Sequence, residues 1–228
     1  MAEQLTFELP LRAAQGREDF FVAPANALAV AQVEGWHNWP QRKLVLVGPS
    51  GAGKTHITHV WAALSGATII EAAALTAADI PALAAQPAIA VENADRIAGD
   101  RSAEEALFHL HNLTLAEGGT LFLTAQSAPR QWPLSLPDLK SRMEATATAT
   151  LDPPDDALLS AVLVKLFADR QISVAPQTIP YLVGRMERSF AAAQEMVTLL
   201  DTRALSTGRK ISARLAAEVL DTLPDDPQ

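Results

Sequence analysis

The apolar residues of this chain follow two different patterns, and the change falls near residue 152. Before it, short apolar runs alternate with longer stretches of helical period. The runs lie at residues 43–47, 68–70, 88–91, 120–124 and 145–151. This alternation predicts an α/β fold in which a parallel sheet carries crossover helices on both faces. The Ala-rich stretch 71–86 predicts one helix, or two interrupted at Pro81.

The second pattern follows the sequence Asp-Pro-Pro-Asp-Asp at 152–156, where prolines can end a sheet and acidic residues suit a helix start. Apolar positions beyond it keep a helical spacing, as Leu158, Val162 and Leu166 do. Four helices are predicted, at 157–170, 176–186, 189–207 and 212–223. The predicted organisation is therefore a tail (1–18), an α/β domain (19–151) and a small all-α lid domain (152–228).

Composition narrows the classes of function. The chain of 228 residues is 49% hydrophobic, lacks cysteine and has a formal net charge of −8. Duplex DNA is a polyanion that normally requires a basic face, so strong direct DNA binding is not expected. The first residues lack the pattern of a secretory signal, and no apolar stretch approaches the roughly 20 residues that cross a bilayer. We expect a cytoplasmic protein without a membrane partner.

A glycine-rich loop follows the first apolar run and carries the strongest chemical signal. It reads Gly48, Pro49, Ser50, Gly51, Ala52, Gly53, Lys54 and Thr55. Its glycines allow successive backbone N–H groups to surround phosphate oxygens, at the start of a helix. Lys54 is predicted to hold the β- and γ-phosphates of ADP or ATP, the Thr55 hydroxyl to ligate Mg²⁺, and the His56 N–H to contact phosphate.

An acidic residue on a second strand would complete a magnesium site, and Glu92-Asn93 after the run 88–91 is the candidate. In one frame Glu92 ligates the metal, and Asn93 occupies the position of the acid that orients the attacking water. In a shifted frame Glu92 is the base and the metal lacks its carboxylate. The Asn93 amide cannot accept the proton in the first frame, and the metal site is incomplete in the second, so both frames predict an impaired active site. Asp95 is an alternative acid, but as a surface residue of the next turn it is expected to be structural or solvated.

The order of these features resembles the AAA+ family. The phosphate loop, Glu92-Asn93, a polar cluster after a strand, the segment 139–142 (Leu-Lys-Ser-Arg) and a helical lid occur in the family's order. Within it, residues 18–223 resemble the replication initiator DnaA without its DNA-binding domain, and the regulators of the Hda type in particular. The phrase at 19–26 is similar to the segment that frames the adenine in that clade, which implies contacts from Phe21 and Val22.

The resemblance also implies roles for three polar residues. Arg142 would be an arginine finger that points at the γ-phosphate of a neighbouring molecule, where it would act in catalysis in trans. Arg188 matches the sensor-2 arginine, which reaches back from the lid to the nucleotide, and Gln126 matches sensor 1. An ordinary surface salt bridge is the alternative for Arg142.

The tail contains the peptide 4–10 (Gln-Leu-Thr-Phe-Glu-Leu-Pro), which resembles a sliding-clamp-binding motif. Gln4 would donate a hydrogen bond in one subsite, while Phe7 and Leu9, beside Leu5, would fill an apolar pocket. The alternative is a strand or staple that packs back on the domain.

The expected function is regulation of replication initiation. The protein would keep ADP, dock on the polymerase sliding clamp and promote hydrolysis of ATP bound to DnaA. A self-sufficient AAA+ ATPase (a loader or remodelling subunit), a small-molecule kinase and a nucleotide-independent adaptor remain as alternatives. The sequence leaves the oligomeric state open between monomer and homodimer.

Overall fold

Residues 26–222 are described by a computed structural model of the chain. Their five strands pair in parallel in the order β2-β3-β4-β1-β5. The strands are β1 (Lys43–Val47), β2 (Thr68–Glu71), β3 (Ala88–Glu92), β4 (Thr120–Ala125) and β5 (Thr148–Thr150). The predicted parallel sheet is confirmed. The last strand is shorter than predicted because helix α5 (Pro137–Glu144) and its turn occupy the chain up to Thr146.

Helices cover both faces of this sheet, as predicted. On one face, α3 (Ile80–Ala84), α4 (Arg101–Ala116) and α5 share a core with the strands. On the other face, α1 (Ala27–Glu34) and α2 (Lys54–Ser65) pack around a cluster of aromatic rings. The Trp39 ring stacks there at 5.4 Å from both Trp61 and Phe122, measured between ring centroids.

The Ala-rich stretch departs from its prediction. Residues 72–77 form a 3-10 turn, and α3 begins only at Ile80. Pro81 lies in the first turn of α3, where a backbone N–H would have no helical partner, so the proline starts the helix instead of interrupting one.

The C-terminal helices form a separate core. They are α6 (Asp156–Asp169), α7 (Thr178–Val183), α8 (Phe190–Thr207) and α9 (Ala213–Leu220). Side chains of Asp155, Ser189 and Ser212 accept hydrogen bonds from the first turns of α6, α8 and α9, which explains where these helices begin. Their apolar faces pack on one another around Phe167 and Leu200, as the four predicted helices require. Within residues 26–222 no helix has the length and apolar character needed to cross a membrane.

The carboxyl ends of three neighbouring strands bring the candidate site together. Val47 of β1 is in register with Ala125 of β4, and the Gly48 N–H donates to the Ala125 carbonyl at 3.1 Å. Strand β3 lies on the other side of β4 and ends at Glu92. The phosphate loop, Glu92 and Gln126 therefore meet at one edge of the sheet.

Candidate functional site

The loop between β1 and α2 has the backbone that its glycines predict. Gly51 and Gly53 have φ values of 72° and 96°, a left-handed conformation that other residues rarely adopt. Gly48 has a different requirement, since a Cβ there would lie 2.5 Å from the Leu151 carbonyl oxygen. Helix α2 starts directly after Gly53, so the N–H groups of its first turn and its dipole point into the loop.

Lys54 lies across this loop with most of its side chain buried. Its ammonium donates to the carbonyls of Gly48 at 2.7 Å and Pro49 at 2.8 Å. Burial lowers the pKa of the Lys54 ammonium below its usual range, and the charge of Asp95 opposes that shift. Both hydrogen-bond acceptors are neutral, so no carboxylate of residues 26–222 is hydrogen-bonded to the ammonium, although the charges of Asp95 and Glu92 act on it.

The lid helices contact the loop directly. The backbone N–H of Phe190, at the start of α8, donates to the Gly51 carbonyl at 2.8 Å. A Cβ on Gly51 would meet the Ser189 side chain at 2.5 Å, and one on Gly53 would meet the Phe190 ring at 2.9 Å. The absence of side chains on these two glycines therefore serves both the loop conformation and the seating of the lid.

Glu92 ends β3 as a buried carboxylate beside this loop. Its side chain is 6% exposed, and its Oε1 atom has no hydrogen-bond partner within the described residues. A buried carboxylate oxygen without a partner is costly unless a cation or a donor satisfies it. This orphaned oxygen fits the predicted magnesium role of Glu92. The second predicted ligand, Thr55, lies exposed in the first turn of α2.

Asn93 lies at the same edge, but its side chain is used elsewhere. Its φ of 56° places it in the left-handed region, where asparagine is tolerated better than most residues. Its Nδ2 donates to Glu71 Oε2 on β2 at 3.0 Å, and its backbone N–H donates to the Thr124 hydroxyl at 3.0 Å. The amide is thus tied to the outer strand of the sheet.

Asp95 is closer to the phosphate loop than the sequence suggested. It was predicted to be a surface residue, yet it is half-buried. Its Oδ2 accepts from the Gln126 N–H at 2.9 Å, while its Oδ1 is buried without a partner within residues 26–222. Of the charges that act on Lys54, that of Asp95 has the largest effect. The left-handed Asn93 turns the chain, and it is the charge of the third residue after the strand that acts on this lysine.

The three other predicted nucleotide contacts lie around this edge. Arg188 directly precedes the lid residues that touch the loop, and its guanidinium pairs with Asp156 at 2.8 Å. Both of these side chains are more than half exposed. Gln126 is exposed after β4 and contributes its backbone N–H to Asp95. His56 is half-buried in the first turn of α2.

Arg142 lies on α5, on the side of the sheet that α4 covers. Its Nε donates to Asn112 Oδ1 at 2.9 Å, and its guanidinium carbon lies 4.8 Å from the centre of the Phe108 ring. The side chain is half-buried, and no carboxylate of residues 26–222 forms an ion pair with it. The simple salt bridge that was the alternative for Arg142 is absent from this part of the chain.

A buried polar group lies beneath Arg142. Lys43 donates to the Arg142 carbonyl at 3.2 Å and lies 3.1 Å from His111 Nε2. Burial is the main cause that lowers the pKa of His111 to about 4, so the ring is neutral at pH 7. Burial, with the Arg142 charge second, also lowers the pKa of Lys43.

Some predicted residues lie outside the described part of the chain. They are the clamp-peptide residues Gln4, Leu5, Phe7 and Leu9 and the adenine-pocket residues Phe21 and Val22. Conversely, sequence reasoning did not select Asn112 or Phe190, and it undervalued Asp95. For these residues, the only signal in the sequence was the position of Asp95, which comes three residues after the end of a strand. In residues 26–222, no three His, Asp or Glu side chains gather in a way that would hold a metal ion unaided.

No protein-family model matches the chain. Several solved structures resemble it. Domain III of the replication initiation protein DnaA from Thermotoga maritima has a TM-score of 0.79 at 16% identity, over 93% of this chain and 98% of that one. AMPPCP-bound DnaA from Aquifex aeolicus has a TM-score of 0.70 at 14% identity, over 83% of this chain and 65% of that one. A point mutant of RuvB from Thermotoga maritima has a TM-score of 0.68 at 15% identity, over 90% of this chain and 71% of that one.

At these identities the likeness concerns the fold. The chain has a DnaA-like AAA+ fold, with the parallel sheet and flanking helices that the sequence predicted.

Proposed function

We propose that the chain is a nucleotide-binding regulator of replication initiation, similar to the Hda type. It holds ADP or ATP with Mg²⁺ in its own phosphate loop and docks on the sliding clamp through residues 4–10. It then presents Arg142 to ATP bound on DnaA. Its own ATPase activity is weak, and it acts in the cytoplasm as an ATPase activator of its partner.

The setting of Arg142 carries this proposal. A guanidinium that is half-buried, held by neutral groups and not paired with a carboxylate of residues 26–222 keeps its full charge for another molecule. Charge of this kind stabilises a transferring phosphoryl group, with effects on the order of 10³–10⁵ in rate for arginine fingers.

The protein's own pocket supports nucleotide retention. The loop places the left-handed Gly51 and Gly53 beside the N–H groups at the start of α2, and Lys54 supplies a fixed positive charge. Glu92 and Thr55 would hold Mg²⁺, which would neutralise charge on the phosphates. Because the Asn93 amide donates to Glu71, it cannot act as the base that a hydrolytic site requires.

The test uses DnaA loaded with radiolabelled ATP, mixed with the full chain and a DNA-loaded clamp. We expect wild type to accelerate hydrolysis of the bound ATP. Arg142→Ala should lower the stimulated rate by roughly a hundredfold or more. Arg203→Ala, an exposed arginine of the lid helix α8, is the matched control and should behave as wild type.

The same experiment, extended to binding of the clamp, tests the docking role of residues 4–10. Gln4→Ala and Phe7→Ala should each weaken the stimulation and the capture of the chain by the clamp. Stimulation that survives Arg142→Ala unchanged would refute the role in trans, whatever the clamp does.

A self-sufficient AAA+ ATPase is the second candidate, and Asp95 is the observation that favours it. With Glu92, this residue brings a second carboxylate to the mouth of the loop. Single-turnover hydrolysis by the isolated chain separates the two functions. Rapid turnover that Asp95→Asn abolishes would favour the ATPase, whereas the regulator predicts slow turnover in wild type and variant alike.

A further inference from the structure

We propose that Asn112 is a positioning residue for Arg142. Its side-chain oxygen aims the guanidinium out of the protein and leaves the positive charge uncancelled. This inference rests on the proposed function, because it explains how the cation offered to the partner's nucleotide is held ready.

The contacts of Arg142 define one orientation. Nε donates to Asn112 Oδ1 at 2.9 Å, and Nη1 donates to the Asp138 carbonyl, one helical turn earlier, at 3.4 Å. The guanidinium carbon lies over the Phe108 ring, 4.8 Å from its centre. The Nε bond and the ring contact both come from α4, so the side chain is held against that helix at its inner end. Nη2 donates to no acceptor within residues 26–222.

The orientation of the Asn112 amide follows from its neighbours. Arginine only donates hydrogen bonds, so the Asn112 atom that faces Nε must be the oxygen. That oxygen also lies 3.2 Å from His111 Nδ1, which must therefore carry the ring proton of the neutral imidazole. His111 Nε2 is then an acceptor, and it receives the Lys43 ammonium at 3.1 Å.

This network of hydrogen bonds leads from the interior to the surface. Lys43 is 2% exposed and His111 is 5% exposed, so neither can exchange its partner for water without opening the core. The two buried groups keep the amide from flipping, and the amide in turn keeps Nε–H in one place. The Arg142 side chain has several rotatable bonds, and these contacts hold it in one orientation before the partner binds.

An amide suits this task better than a carboxylate. An aspartate at position 112 would offer the same acceptor geometry, but it would pair with Arg142 as an ion pair. The field of the guanidinium at a partner's phosphate would then be reduced by an opposite charge a few ångströms away. Asn112 orients the cation without this reduction.

The test measures hydrolysis of DnaA-bound ATP at increasing concentrations of the full chain with DNA-loaded clamp. Asn112→Ala should lower the maximum rate about tenfold, the size expected for one hydrogen bond to a charged group, while the half-saturating concentration stays within about twofold. Asn112→Asp should lower the maximum rate to a similar extent. Asn38→Ala, an exposed asparagine outside the site, should match wild type.

A double variant separates positioning from a general structural effect. Asn112→Ala should cause no further loss in an Arg142→Ala background, because both substitutions remove the same aimed charge. An equal loss in both backgrounds would overturn the proposal. A wild-type maximum rate in Asn112→Ala would also overturn it, and a wild-type rate in Asn112→Asp would refute the argument about charge.

A second measurement does not depend on the partner. The Arg142 Nε–H resonance, assigned by ¹⁵N NMR through its loss in Arg142→Ala, should be protected from exchange in wild type and unprotected in Asn112→Ala. If wild type fails to stimulate DnaA while this difference is seen, the proposed function fails and the holding role of Asn112 stands. If the resonance is equally protected in both proteins, Asn112 does not hold the side chain.

Discussion

Lys54 and Arg142 are two cations of one domain that are held by neutral acceptors. Lys54 bonds two carbonyls of its own loop, and Arg142 bonds an amide oxygen and a carbonyl. The two cations differ in their burial and in the residues that surround them. Lys54 is 8% exposed beneath a loop that lid residues contact, whereas Arg142 is half-buried beside α4 and no lid residue is among its contacts.

Arg188 shows the contrasting arrangement. Its guanidinium forms an ion pair with Asp156, and both side chains are largely exposed. The charge of Arg188 is therefore compensated as long as this ion pair is formed. A cation held by neutral groups keeps its field for a ligand, whereas a paired one must first exchange its partner. Under the proposed function, Lys54 would serve the protein's own nucleotide and Arg142 that of another molecule.

The largest effect is expected beneath the helix that carries Arg142. The buried Glu104 carboxylate accepts from the N–H groups of Gly99, Ser135 and Leu136 and so anchors the start of α5. Glu104→Ala should destabilise the protein by about 4 kcal/mol, because several buried donors lose their acceptor. Denaturant unfolding measures this change. Glu105→Ala, the exposed neighbour, should change stability by less than about 0.5 kcal/mol, and an equal effect of the two variants would contradict the anchoring role.

The second largest effect is expected at low pH, where protonation of His111 disfavours the buried polar group beneath Arg142. The pKa of His111 is lowered from 6.5 to about 4 in the folded protein, mainly by burial. Above pH 6.5 the ring is neutral in both states, so its contribution to stability is complete. Between pH 6.5 and 4 only the unfolded chain binds the proton, and stability falls with pH by as much as roughly 3 kcal/mol.

Unfolding free energies measured across this pH range check that prediction. His111→Gln should flatten the slope between pH 6.5 and 4, whereas His109→Gln, an exposed histidine two residues earlier, should keep it. An unchanged slope in His111→Gln would show that other groups cause the acid sensitivity.

Substitution of Lys54 tests the second cation of the comparison. Lys54→Ala should lower the affinity for ADP about a hundredfold, since charge-assisted bonds to the phosphates are lost. Isothermal titration measures this loss. Lys210→Ala, an exposed lysine, is the control, and Arg142→Ala should also leave ADP affinity unchanged if the two cations serve different nucleotides.

The smallest effect concerns the contact between loop and lid. Gly51→Ala adds a clash with Ser189 to the strain of a left-handed residue, and should cost about 2 kcal/mol. Gly66 has a similar φ of 71° with nothing near its Cβ position, so Gly66→Ala should cost only about 1 kcal/mol of strain. Thermal unfolding of the two variants gives the difference. An equal loss of stability in the two variants would show that the Ser189 side chain moves aside without a cost in free energy.

Much of the fold could be predicted because its signals are local. Apolar runs marked all five strands, and Asp155, Ser189 and Ser212 start helices within a residue or two of the predicted positions. Predictions failed at the ends of elements, as at residues 145–147, where the apolar pattern continues but the turn after α5 takes up the chain. Periodicity cannot distinguish such a turn from a strand.

By itself the sequence determined the phosphate loop and the order of strands and helices around it. Glycine spacing and strand patterning act between near neighbours, so these features need no knowledge of distant residues. Tertiary structure alone decided that the charge of Asp95 acts on Lys54 while Asn93 bonds Glu71, and that Asn112 meets Arg142. Those pairs lie 22 to 41 residues apart, and only the packing of helices on the sheet brings such side chains within reach of each other.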